Sequence, residues 1–295
     1  MPLILLSTIL IFFIDRELVI TRTLLALEQW YQLMIPALFP MMLFSTILVD
    51  IGTAHTIGKL IYPIIGRLFR VSYNGCYCML AGLTMGFPMG AKTVCDFIKK
   101  GAICKEEGDY LLSFINCIGP MYTLHVTCSL FMHCNITLSM FAMYGLALLY
   151  GLILRYTIYR KNSFKHIHSN YAKKPFVDAF IDCIPSCGTS ILQLGGYMVL
   201  FQLFFVTIQH LAMYIPFPTT LFYPLIEITG GLLLLPNTMP ACLVLALTCF
   251  GGACCMIQTY YFIKDTPLSI SKYLLNKVVL SSIVFITLFI FRKQI

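Results

Sequence analysis

From Tyr110 to Leu154 the chain carries no Asp, Glu, Lys or Arg, and from Cys183 to Ile263 it carries one, Glu227. A hydrocarbon core ~30 Å thick takes about 20 apolar residues per helix, so the second run alone holds several crossings. Lipid offers the backbone no hydrogen bonds, so runs of this length fold as helices that satisfy themselves. Charged residues make up 11% of the chain, against ~25% in a soluble domain. The fold class these runs predict is an all-α, polytopic membrane protein.

Charge and cysteine narrow the function. The formal charge of +8 comes from Lys and Arg spread among short connectors, as the positive-inside bias expects, so nucleic acid is not a predicted partner. The thirteen cysteines sit mostly in apolar runs and contain no C-x-x-C pair. They read as packing residues, and neither metal nor cofactor is expected. Pro2–Ile14 is apolar without a basic leader, which reads as a retained short anchor rather than a removed signal peptide.

Order along the chain suggests a duplication. Residues 1–30 read as an anchor plus an interfacial helix at Glu17–Gln29. Residues 31–157 hold a span at Tyr31–Val49, an interfacial stretch at Ala54–Arg70, a broken segment at Asn74–Ile98, and spans at Leu111–Met132 and Thr137–Tyr156. After a basic loop at 158–175, residues 176–295 restart the pattern. An amphipathic Phe176–Pro185 precedes a span at Thr189–Ile208 and a short element at Leu221–Leu235. A second broken segment, Met239–Ile263, precedes a last span at Tyr273–Phe291.

If both broken segments are re-entrant hairpins, fourteen cations fall on the cytoplasmic side, including Lys59, Arg67, Arg70, Lys99, Lys100, Lys105 and those of the basic loop. Five fall outside: Arg16, Arg22, Lys264, Lys272 and Lys277. Full crossing by Val71–Ile98 weakens that bias, so re-entry is favoured. The hairpins then enter from opposite faces of two inverted-topology repeats, the plan of secondary transporters with a midplane site.

The first broken segment carries Gly86-Phe-Pro-Met-Gly-Ala-Lys92 after 21 uncharged residues, Val71 to Ala91. Pro88 donates no amide, and Gly86 and Gly90 each cost ~1 kcal/mol in a helix interior. Freed backbone at membrane depth implies a protein-lined or watered site. A P-loop is excluded because Ala91 stands where the motif needs glycine and no strand precedes it. Lys92 either meets a partner in the membrane or snorkels to the interface, and Asp96 lies one turn on.

Glu227 is an isolated carboxylate beside Thr229 and Gly230-Gly231. It reads either as a protonatable functional group or as an interfacial side chain near Tyr223. Gln258, after the Gly251-Gly252 break, either faces the cavity or glues helices together. Asn116 with Gly119-Pro120 marks another polar break. His125 and His210 read as helix–helix hydrogen-bonding residues, and His166 and His168 as solvated. No nucleophile elbow, H-E-x-x-H or carboxylate cluster appears, so no catalytic residue is assigned and an enzyme is not expected.

Three motifs carry a resemblance: Ile35-Pro-Ala-Leu-Phe-Pro40, Gly86-Phe-Pro-Met-Gly-Ala-Lys92, and Leu112-Ser-Phe-Ile-Asn116 with Gly119-Pro120. They resemble the first half of the YlbJ-type sporulation integral membrane proteins, within the nucleoside-recognition (Gate) domain superfamily. Glu227-Ile-Thr-Gly-Gly231 and Phe250-Gly-Gly-Ala-Cys-Cys-Met-Ile-Gln258 are similar to its E-x-T-x-G and G-G-L-S-x-x-x-Q patterns, with Ala253-Cys254 in place of Leu-Ser. The resemblance implies a multi-pass protein of a bacterial cell membrane, acting at the cortex stage of spore formation, with loop 158–175 cytoplasmic.

The expected site is then Lys92, Asn116, Glu227 and Gln258, around hairpin backbone at Gly86, Pro88, Gly90, Gly251 and Gly252. The lipid bilayer and a small polar solute or ion are the expected partners, with homo-oligomerisation left open. A non-transporting scaffold for spore-envelope assembly is the alternative.

Overall fold

The computed structural model describes residues 2–124, 136–164, 173–212, 219–236 and 238–291. Among them there are helices and irregular connections, and no strand. Among the described residues, five helical rods are long and apolar enough to cross a membrane: Arg16–Asp50, Thr137–Tyr156, Phe176–His210, Ala241–Ile263 and Ile270–Ile290. His125, His133, His166, His168, Lys165 and Arg292 lie outside the described residues.

A short α1 (Pro2–Ile14) leads into α2 (Arg16–Gln29), whose start is fixed by the Asp15 carboxylate accepting from the Leu18 amide at 3.1 Å. One π turn, Trp30–Met34, joins α2 to α3 (Ile35–Asp50), and the three make a single 35-residue helix. The helix expected at Glu17–Gln29 is therefore continuous with the one that follows rather than separate from it. Pro36 comes just after the π turn, inside the continuous helix.

A second long rod, α9 (Phe176–Ala212), also runs through its proline, Pro185, which the sequence reading had used as a boundary. The loss of one ladder bond is outweighed because the two rods lie antiparallel along their whole length. His210 meets Asp15 at 3.1 Å, the Trp30 indole donates to the Ile191 carbonyl at 3.0 Å, and the Lys174 amide donates to the Asp50 carbonyl at 3.1 Å. A Cβ at Gly195 would sit 2.6 Å from the Trp30 ring, so that glycine seats the only tryptophan.

Between the rods lie shorter elements: α4 (Thr53–Ile61), α5 (Tyr73–Met85), α6 (Met89–Lys99), α7 (Lys105–Leu112) and α8 (Leu146–Tyr156). Helices α5 and α6 lie side by side. At 1.5 Å per residue they are ~20 and ~17 Å long, and neither spans a ~30 Å core. After α7 the chain is irregular from 113 to 119, at the polar break that Asn116 and Gly119-Pro120 mark within Leu111–Met132.

The second half contains α10 (Tyr223–Ile226), α11 (Ile228–Leu233), α12 (Ala241–Phe250), α13 (Gly252–Ile263) and α14 (Ile270–Ile290). Lys277 Nζ donates to the Cys249 carbonyl at 3.1 Å and Ser281 Oγ to Ala246 at 2.8 Å, so α12 runs antiparallel to α14. The connector after α13 packs on the start of α7: Ser269 N and Lys272 Nζ both reach the Asp109 carboxylate, at 2.9 and 3.1 Å.

This placement corrects the charge map. Lys272 was grouped on the face opposite Lys105, yet it pairs with Asp109, near the end where Lys100 meets Asp50 at 2.8 Å. Lys277, grouped with it, is buried. The reason is length. Ala241–Ile263 has 23 residues and is long enough to cross despite its glycine pair.

Candidate functional site

Four interruptions of the helical backbone touch one another. Gly86 has φ +79°, and a Cβ there would lie 2.3 Å from the Gly119 amide nitrogen, so the α5–α6 tip rests on the 113–119 break. Gly251 has φ +88°, and its missing Cβ leaves room for the Phe87 ring, 2.9 Å from that position. Gly252 has φ +74°, and a Cβ there would lie 2.7 Å from the Pro224 carbonyl oxygen, which brings in the break between α10 and α11 at Glu227. The glycines named from sequence are thus where separate segments come into close contact.

Polar groups follow the freed backbone. Asn116 Oδ1 accepts from the Ala91 amide at 3.3 Å, while Nδ2 donates to Thr259 Oγ1 at 3.0 Å and Tyr273 Oη at 3.1 Å. One amide therefore ties the first hairpin-like unit to α13 and α14. Lys277 satisfies the Cys249 carbonyl just before the Gly251 break and sits 4.3 Å over the Phe87 ring. A buried ammonium is held by one backbone acceptor and one aromatic face.

Glu227 is also buried, and it caps its own following helix. Oε1 accepts from Thr229 N at 2.8 Å, and Oε2 accepts from Gly230 N at 2.6 Å and Gln202 Nε2 at 3.0 Å. The free amides at the positive N-terminal end of this short helix thus replace a counter-ion. Gln202 Oε1 is buried with no partner.

Of the four predicted side chains, Asn116 and Glu227 lie at the breaks. Lys92 is buried but turned to α3: its ammonium reaches Asp96 Oδ2 and Thr46 Oγ1, both at 2.7 Å. No ion pair joins it to Glu227, and the local partner one turn away is the one it takes. Gln258 is buried and donates to Cys254 Sγ at 3.4 Å on its own helix. Sulfur there is a weak acceptor where the resembled pattern has a serine hydroxyl. Sequence reading missed Gln202, Thr259 and Tyr273, and misplaced Lys277. For Lys277 a signal existed, since it is the only charge between Tyr273 and Phe291.

A second carboxylate sits apart from these breaks and outside the five candidate spans. Glu107 Oε1 accepts from Ser72 N at 2.6 Å at the start of α5, while Oε2 is buried without a partner. A Cβ at Gly75 would lie 2.3 Å from Oε1, so the glycine makes the approach possible. Burial pushes the carboxyl up to about 7, against the opposing pull of the Ser72 contacts and Arg155.

The folded-state value exceeds the unfolded one, so Glu107's contribution is full below about pH 4.5 and is lost as pH rises to about 7. Each unit is ~1.4 kcal/mol, giving roughly 3 kcal/mol at most. Glu107→Gln keeps the acceptor for Ser72 and should flatten that part of the profile. In detergent, the melting temperature of the wild type is expected to fall by several degrees relative to the variant between pH 5 and pH 8. Parallel curves would refute this.

Comparison with curated proteins finds the sporulation integral membrane protein YlbJ of Bacillus subtilis (strain 168), 24% identical over 200 residues. The match covers 60% of this chain and 48% of the relative, so the chain spans about half the length of the curated protein it matches. This similarity supports assignment to the YlbJ-type family. No family model matches, and no solved structure gives a significant match. With its apolar rods, the chain is a multi-pass membrane protein.

Proposed function

We propose that this chain acts in spore formation as a transporter-like membrane protein built from two inverted repeats. In this reading α5–α6 is a hairpin entering from the end that holds Lys100 and Lys272, and α10–α11 is its counterpart from the opposite end. The second hairpin is thus centred on Glu227, not on Gly251-Gly252. Supporting it, α10 and α11 pack on each other, and a Cβ at Gly231 would lie 2.4 Å from Pro224 N. Each hairpin is followed by a broken crossing helix, interrupted at 113–119 in the first half and at Gly251 in the second.

The observation that carries the reading is the junction itself: Gly86 lies against Gly119, Phe87 against Gly251, and Gly252 against the 224–228 turn that carries Glu227, while Asn116 ties Ala91 to Thr259 and Tyr273. Discontinuous helices meeting midway are where transporters of this plan bind their cargo. Glu227 would take a proton or cation, Asn116 neutral hydrogen bonds, and rocking of one half against the other would move a small polar solute.

The test uses proteoliposomes holding wild type or Glu227→Gln, with an internal pH dye and mass-spectrometric profiling of candidate solutes. At least a tenfold drop in solute-coupled proton flux is expected for the variant at equal protein level, since it removes the titrating group. One observation favours the scaffold alternative: both hydrogens and the oxygen of Asn116 are already engaged within the protein. If Glu227→Gln accumulates normally and fully supports sporulation in cells, the scaffold reading replaces transport.

A further inference from the structure

At the end of the Thr137–Tyr156 rod lies a cavity of about 490 Å³ whose lining includes Arg67, Arg70, Arg155, Arg160 and Lys161. No carboxylate lines it. Among the described residues none of these five cations forms an ion pair with Asp or Glu. Glu107, which feels the Arg155 charge, turns to the Ser72 amide instead of the cavity. The sequence that follows Phe164, residues 165–172, contains Lys165 and two histidines and no acid. Lys100 and Lys174, by contrast, are both matched by Asp50. What sets the cavity apart is that five cations line one concavity with no acid among them.

The cavity is built rather than incidental. Arg155 is buried and donates to three backbone carbonyls: Phe69 at 3.1 Å, Asn162 at 2.9 Å, and Tyr159. Its guanidinium also lies 4.6 Å over the Phe164 ring. One side chain thereby clamps 69, 159 and 162 together and sets the walls that carry Arg70, Arg160 and Lys161. Arg70 itself has φ +50°, the left-handed region that a side chain rarely adopts, and its guanidinium lies 4.8 Å over Tyr156. Strain of that kind is kept where surrounding structure enforces a position.

We propose that this cavity binds a phosphate oxyanion. Guanidinium forks match phosphate geometry with paired, charge-assisted hydrogen bonds. The volume is in the range of small-ligand sites, ~300–1,000 Å³. Basic pockets at the end of a crossing helix lie at headgroup depth, so an anionic phospholipid and a soluble phosphate ester share the chemistry. The inference stands apart from the transport reading, because it concerns a different end of the molecule and none of the junction residues.

The test compares three forms of the full chain: wild type, Arg67→Ser/Arg160→Ser/Lys161→Ser, and the charge-matched control Lys59→Ser/Lys99→Ser/Lys105→Ser. All six substituted side chains are exposed, and none of the control positions lines the cavity. Each protein is incorporated into nanodiscs of mixed phosphatidylglycerol and phosphatidylcholine, and bound lipid is quantified by native mass spectrometry. In parallel, inorganic pyrophosphate is titrated in detergent with thermal melting as readout.

A lipid source predicts phosphatidylglycerol enrichment in wild type and control, with affinity reduced on the order of a hundredfold in the cavity variant, about fivefold per cation. A soluble source predicts no lipid selection, but a rise in melting temperature with pyrophosphate that the cavity variant alone lacks. If neither ligand is selected, or the two triple variants behave alike, the site is refuted.

Discussion

Glu227→Ala is expected to remove most of the folded protein from the membrane, whereas Glu227→Gln largely spares it. The carboxylate is the shared acceptor for Thr229 N, Gly230 N and Gln202 Nε2, all in a buried setting. Alanine leaves three donors unmet at ~1–3 kcal/mol each. The sum, roughly 3–6 kcal/mol after relaxation, is comparable with the whole stability of many domains. Glutamine keeps one acceptor oxygen. Its new NH₂ can meet Gln202 Oε1, which has no partner, once that amide rotates. One backbone donor is then left, for a cost of about 1–2 kcal/mol. Fluorescence-detected size exclusion and thermal melting in detergent read the difference. An alanine variant that melts within a degree or two of wild type would mean the carboxylate does not hold this turn.

Much of this was readable in the chain, and the failures share a physical cause. The charge-free runs gave the class because hydrocarbon thickness is a one-dimensional constraint. The Gly86–Gly90 break was legible because proline and glycine disrupt a helix locally. At Gly251-Gly252 the same disruption only jogs, through two left-handed residues, a rod that is long enough to cross a membrane. The local rule misled at Pro185, whose missing amide is absorbed inside a long rod.

Conversely, the turn at Ile226-Glu227-Ile228 has neither glycine nor proline at its apex. There an extended residue, φ −140° and ψ 120°, caps the next helix with its own side chain. Glutamate is not among the preferred caps, so composition gave no sign of a turn. Lys92 shows the local rule succeeding, since its partner is one turn away. Lys277 shows it failing, because the Cys249 carbonyl and the Phe87 ring that hold it are remote in sequence.

That remoteness makes Gly86 the most sensitive glycine of the junction. Its backbone, φ +79° and ψ −167°, lies in a region open essentially to glycine alone. A Cβ would also stand 2.3 Å and 2.4 Å from the nitrogen and Cα of Gly119, atoms that cannot move without shifting the 113–119 break. Gly86→Ala combines strain of ~1–3 kcal/mol with a backbone clash, for roughly 4 kcal/mol or more. Gly101 is the internal control: φ is +65° but nothing lies within 4 Å, so Gly101→Ala carries only the ~1–2 kcal/mol left-handed penalty. Displacing the Gly86 tip also withdraws Phe87 from Gly251, loosening the two halves where they meet. Maleimide labelling of the buried Cys117 and Cys249, read by peptide mass spectrometry, should therefore rise severalfold in Gly86→Ala and stay at the wild-type level in Gly101→Ala. Equal protection of both cysteines, with equal melting temperatures, would show that the breaks do not depend on one another.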